Sequence, residues 1–106
     1  MKIQMYVIRD IQADRALQPM YRERESIAMR DFEQAITDTK PFCDNPDDYV
    51  LYHIGSWDDE EMSLQPVDPR RVYSGLDALR NRRARMERVN ELHHEIAQIQ
   101  NPGGTD

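Results

Sequence analysis

Residues 49–54, Tyr-Val-Leu-Tyr-His-Ile, constrain the fold of this chain more than any other stretch. The run is β-branched and aromatic, enters through the Asn-Pro-Asp-Asp turn of 45–48 and closes at Gly55-Ser56, which predicts a strand. Alternation sends Tyr49, Leu51 and His53 to one face and Val50, Tyr52 and Ile54 to the other. Large apolar groups on both faces predict a central strand, with neighbours on both edges and a helix over at least one face.

The flanking segments supply those neighbours. Residues 3–11 place Ile3, Met5 and Val7 opposite Tyr6 and Ile8, a first strand that ends at the polar segment 10–14. Residues 14–22 contain Pro19 and little periodicity; they read as a loop draping Leu17, Met20 and Tyr21 over the core. A helix follows over 24–39, with Ser26 as its N-cap, an apolar stripe of Ile27, Ala28, Phe32, Ala35 and Ile36, and Arg30, Asp31, Glu33 and Gln34 mostly outside. Pro41 stops it. After Trp57, four consecutive acids (58–61) and the alternating Met62 and Leu64 predict a β-hairpin with a solvated acidic tip, Pro66 ending its edge strand. Residues 76–100 lack Pro and Gly and are rich in helix formers, predicting a long helix. The expected architecture is α+β: a β-α-β-β domain with an antiparallel sheet over 1–68, a linker over 69–75, the long amphipathic arginine-rich C-terminal helix over 76–100, and a disordered tail over 101–106.

At 106 residues there is room for one modest core. No apolar run approaches the length of a membrane span, which predicts a cytosolic protein with no membrane partner. Cys43 stands alone, without the spacing of a disulfide or zinc site, and reads as an ordinary reduced thiol. Net charge is −6, unevenly divided: residues 1–69 hold 15 acids and 7 bases, residues 70–106 hold 5 acids and 7 arginines. The acidic total argues against a coat of bulk nucleic acid, while the division leaves room for a local anion-binding element.

Two features of the last helix carry chemistry. Arg80, Arg82, Arg83, Arg85 and Arg88 fall within nine residues, and their helical angles spread around the cylinder. They therefore read either as solvated or internally paired, or as contacts to phosphates. Val89, Leu92, Ile96 and Ile99 make one narrow stripe that Leu79 and Met86 extend with the drift of a heptad pattern. That stripe either covers the sheet or forms a homo-oligomer interface, the outer half from Ala84 being the part that projects. Among the aromatics on or near the sheet, Trp57 and Tyr52 are the candidates for stacking on bases, and Trp57 is the one with a chance of exposure. His93 and His94 point about 100° apart on a helix and make no chelating pair, and the acids of 58–61 read as a solvated turn. No phosphate loop, nucleophile elbow or carboxylate couple is present, so neither enzyme activity, metal nor cofactor is expected.

The opening of residues 2–20, the helix segment Ile-Ala-Met-Arg-Asp-Phe-Glu-Gln-Ala-Ile-Thr-Asp at 27–38, the block 41–60 and Gln65-Pro66-Val67 resemble the small non-structural protein of microviruses, single-stranded DNA phages of the gokushovirus-like group. Ala28, Arg30 and Phe32 match its Ala-x-Arg-x-Phe helix, and Pro46, Asp48, Tyr49, Leu51, Ile54, Gly55, Trp57 and Asp58 match its central block. The resemblance covers about residues 1–68 and carries no established site residues; the arginine-rich helix lies outside it. It implies a non-structural protein in the host bacterial cytoplasm that acts in viral single-stranded DNA synthesis or packaging. Two expectations follow: a non-enzymatic, sequence-independent single-stranded DNA-binding protein, or an adaptor that binds a phage replication, capsid or host protein through the acidic hairpin and the helix stripe.

Overall fold

The computed structural model describes residues 1–100; the expected tail at 101–106 lies outside the described residues. Five strands and two α-helices follow one another as β1 (Lys2–Asp10), β2 (Arg15–Ala16), β3 (Met20–Arg22), α1 (Glu25–Asp38), β4 (Tyr49–Asp58), β5 (Ser63–Ser74) and α2 (Gly75–Gln100), with two 3₁₀ turns between α1 and β4. The sheet is antiparallel throughout, in the order β2-β1-β4-β5, with β3 also on β1. The α+β class, the central position of β4 and the long final helix agree with the sequence reading.

The core lies on one face of the sheet. Tyr6 and Ile8 of β1, Tyr49 and Leu51 of β4 and Tyr73 of β5 meet Ala28, Phe32 and Ile36 of α1 and Ala78 of α2. The spacing i, i+4, i+8 of Ala28, Phe32 and Ile36 gives α1 its buried stripe. Phe32 is 1% exposed and tilts against Tyr73, their ring centroids 5.9 Å apart. Such an anchor contributes about 3–5 kcal/mol relative to alanine.

Several boundaries differ from expectation. Arg24, not Ser26, caps α1, and without a side-chain hydrogen bond. Glu33 of α1, expected outside, is 5% exposed, because the Tyr73 hydroxyl (3.0 Å) and the Arg85 guanidinium both donate to its carboxylate. Residues 14–22 are not simply a loop: β2 and β3 fold back on β1, where Met20 packs against the core while Leu17 and Tyr21 stay exposed. Gly55 does not end β4. It marks an irregularity at which Met5 pairs with Gly55 and Tyr6 with His53, and the strand continues to Asp58. Pro66 does not end β5, and residues 69–74 are strand rather than linker, paired with β4 through Tyr52↔Arg71 and Val50↔Ser74. As the sheet's edge, β5 tolerates Pro66 and Pro69, whose missing N–H groups a central strand would need.

Helix α2 starts directly from β5. The Ser74 hydroxyl accepts a hydrogen bond from the Asp77 N–H (3.1 Å), a serine N-cap. At Gly75 an added Cβ would lie 1.7 Å from the Pro46 carbonyl oxygen, so only glycine fits this close approach. The first ten residues of α2 pack beside α1, with Ala78 fully buried; every residue from Arg83 through Ile99 is exposed. A helix of this length extends about 39 Å, which makes the molecule elongated, 66 × 35 × 19 Å.

Candidate nucleic-acid interface

Both helices pack on the core side of the sheet; on the other, helix-free face Val7 and Val50 are buried while Tyr52, Ile54 and Trp57 remain partly exposed. Paired residues in an antiparallel ladder share a face, so the register identifies its occupants. Val7 pairs with Tyr52, Tyr52 with Arg71 and Arg9 with Ala16; farther along, Ile3 pairs with Trp57, Trp57 with Leu64 and Met5 with Tyr21. Two shallow hollows result. The first, about 210 Å³, is lined by Val7, Arg9, Ala16, Tyr52, Ile54 and Pro69. The second, about 340 Å³, is lined by Ile3, Tyr21, Trp57 and Leu64. They sit about 13 Å apart along β1 at the strand rise of about 3.3 Å per residue.

Three aromatic side chains thus share one helix-free surface. Tyr52 and Trp57 are half-buried and Tyr21 is exposed. Tyr6 and Tyr49 belong instead to the core on the other face, where burial pushes both phenols above their ordinary values. Arg71 sits beside Tyr52 with no ion pair among the described residues, and Arg9 on the neighbouring strand pairs with Asp14 at the surface. Tyr21 was missed in the sequence because β3 is only three residues long; its pairing to Met5 places it here.

The arginines of α2 do not converge on that surface. Arg85 turns inward to Glu33, Arg80 lies 3.9 Å from Asp77, and Arg82 is half-buried between the helices. Arg83 and Arg88 are exposed, with no ion pair among the described residues. All five belong to a helix on the far side of the sheet from Tyr52 and Trp57, so the expected phosphate and stacking residues do not form one continuous site.

The acidic hairpin tip is internally engaged. Asp58 accepts from the N–H groups of Glu60 (3.0 Å) and Glu61 (3.3 Å), which hold its carboxyl below the usual range, the Glu61 bond contributing most. Asp59 pairs with the Met1 ammonium at 2.9 Å and raises its pKa.

Among known proteins, residues 3–78 match the model of a family described as Phage ORF5 protein. No curated protein and no solved structure matches the chain.

Proposed function

We propose, from the premise that the chain belongs to the Phage ORF5 protein family, that this phage protein is a non-enzymatic, sequence-tolerant binder of single-stranded DNA and that the open sheet face is its binding surface. The observation that carries this reading is the placement of Tyr21, Tyr52 and Trp57 on one helix-free face beside Arg71 and Arg9. Aromatic faces accept any base, each stacked base contributing about 1–3 kcal/mol, while guanidinium groups follow the backbone. The exposed α2 arginines Arg83 and Arg88 point about 140° apart on the helix and stand outside this surface.

In this reading the protein serves viral DNA synthesis or packaging in the cytoplasm of an infected bacterium, as a non-structural protein of a microvirus. One observation favours a second reading, an adaptor for a phage or host protein: the net charge of −6 opposes bulk nucleic-acid binding.

Trp57 is the one tryptophan of the chain and reports directly on the proposed surface. Its fluorescence is expected to quench on titration with oligothymidylate and to change far less with duplex DNA. The apparent affinity should fall with salt at a slope of about −0.7 per neutralised phosphate. Unchanged fluorescence at low salt, with no binding by anisotropy, rejects the surface and the activity together and leaves the adaptor reading.

A further inference from the structure

The outer half of α2 carries an apolar stripe that nothing among the described residues covers. Met86, Val89, Leu92, Ile96 and Ile99 are between 40% and 76% exposed. At 100° per residue this stripe continues the side of α2 that Ala78, Arg82 and Arg85 turn toward α1. It is thus the extension of an interface the fold already uses, past the point where α1 ends.

We propose that the occupant is the same stripe of a second copy, in an antiparallel two-fold pairing of the outer halves of α2 centred between Leu92 and His93. The proposal is independent of DNA binding. Three features of the chain select this arrangement. The first is spacing: about that centre Met86 faces Ile99 and Val89 faces Ile96, so four of the five stripe residues face one another, as an isologous interface requires, and Leu92 sits beside the axis.

The second is steric. In a parallel, in-register pair the partner helix would continue along Ala78, Arg82 and Arg85, where α1 already lies; in the antiparallel pair it runs off past residue 99 instead. The third is charge. The arginine-rich stretches 80–85 stand at opposite ends, whereas parallel pairing would set arginine against arginine.

The size of the seam limits its strength. Fourteen helical residues give a contact about 21 Å long, and two such helices bury on the order of 1,000 Å² together, the low end for a specific interface. A reversible dimer with a micromolar dissociation constant is expected.

Sedimentation velocity of the full chain across a concentration series tests association. The expected result is a shift from monomer to dimer that Leu92→Glu and Ile96→Glu, both at exposed positions, abolish while the circular dichroism of the fold is retained. A chain that stays monomeric at 100-fold above micromolar concentrations, or a dimer that both variants leave intact, overturns the proposal.

Orientation is tested in the Cys43→Ser background by oxidative cross-linking. Leu92→Cys, beside the two-fold axis, should cross-link to itself. Met86→Cys and Ile99→Cys should cross-link in mixture and not singly. Efficient self-cross-linking of Ile99→Cys indicates a parallel pair and overturns the antiparallel assignment.

Discussion

Arg85 of α2 donates to the Glu33 carboxylate of α1, 52 residues away in sequence. Tyr73 of β5 donates to the other oxygen of the same carboxylate at 3.0 Å and accepts from Asn81 of α2 at 2.7 Å. Four side chains from three elements, the buried acid among them, are therefore joined in one hydrogen-bonded network. This use of Arg85 removes it from the set available to phosphate.

Replacing Arg85 by alanine is expected to destabilise the fold by about 1–3 kcal/mol, since it leaves a buried carboxylate with the Tyr73 hydroxyl alone. The half-exposed guanidinium keeps the loss below that of a fully buried pair. Glu33→Gln, which retains an acceptor, should cost less. Urea denaturation with midpoints compared at equal slope measures both; an unchanged midpoint for Arg85→Ala would show that the pairing contributes nothing.

On the open face, Tyr52→Ala and Trp57→Ala should each weaken oligothymidylate binding by roughly 5- to 150-fold, the equivalent of about 1–3 kcal/mol per stacked base. Arg71→Ala should weaken it at every sequence and reduce the salt slope by about 0.7. Arg85→Ala should leave affinity unchanged in its folded fraction. If the combined Arg82→Ala, Arg83→Ala, Arg85→Ala variant lost binding while Tyr52→Ala did not, the interface would lie on α2.

The two tight glycines differ in how far their surroundings can give. A Cβ at Gly75 would press on the Pro46 backbone at 1.7 Å, where the 3₁₀ turn, β4 and α2 all meet; Gly75→Ala should cost about 3 kcal/mol or more. At Gly55 the nearest atom, the Gln65 oxygen at 2.6 Å, belongs to edge strand β5, which can shift. Gly55→Ala should cost about 1–3 kcal/mol. Thermal unfolding gives the order, and a Gly55 variant less stable than the Gly75 variant would contradict it.

The β4–β5 turn should be held best between pH 3.8 and 8.0. Asp58 titrates below its ordinary 3.8 because backbone N–H groups stabilise the carboxylate, so its contribution is complete above that value and fades as pH falls through the lower folded one. The Met1 ammonium titrates above its ordinary 8.0 because Asp59 stabilises the cation; its contribution is complete below 8.0 and fades as pH rises through the higher folded value. Hydrogen exchange at the Glu60 and Glu61 amides, corrected for intrinsic rates, reads the acid limb, which Asp58→Asn should remove.

Local pattern made much of this fold legible. The alternation in Tyr49–Ile54, the acidic turn and the proline-free run of 76–100 are signals contained within a few residues of one another. The errors share a cause. Gly55 and Pro66 carry two meanings, terminator or tolerated irregularity, and the choice depends on which strand lies alongside. Glu33 looked solvent-facing because its partners, Tyr73 and Arg85, are 40 and 52 residues distant. For the candidate surface, Tyr52 and Trp57 were visible in the sequence, but Tyr21 and Arg71 join them only through strand register. The separation of the α2 arginines from that surface depends on which face the helices choose, and both faces of β4 are apolar.

Because β5 passes into α2 without a loop, the helix behaves as a cantilever. Its first eleven residues are clamped by Gly75 against Pro46 and by Arg85 against Glu33, while residues 86–99 are exposed. A load on the free end bears on the clamp, and a bend of about 10° there moves the tip of the ~21 Å free length by about 4 Å. Arg71 lies four residues ahead of Gly75 on the same edge strand, beside Tyr52. Whatever grips the far end of the beam therefore pulls, through its root, on the edge of the sheet's open face.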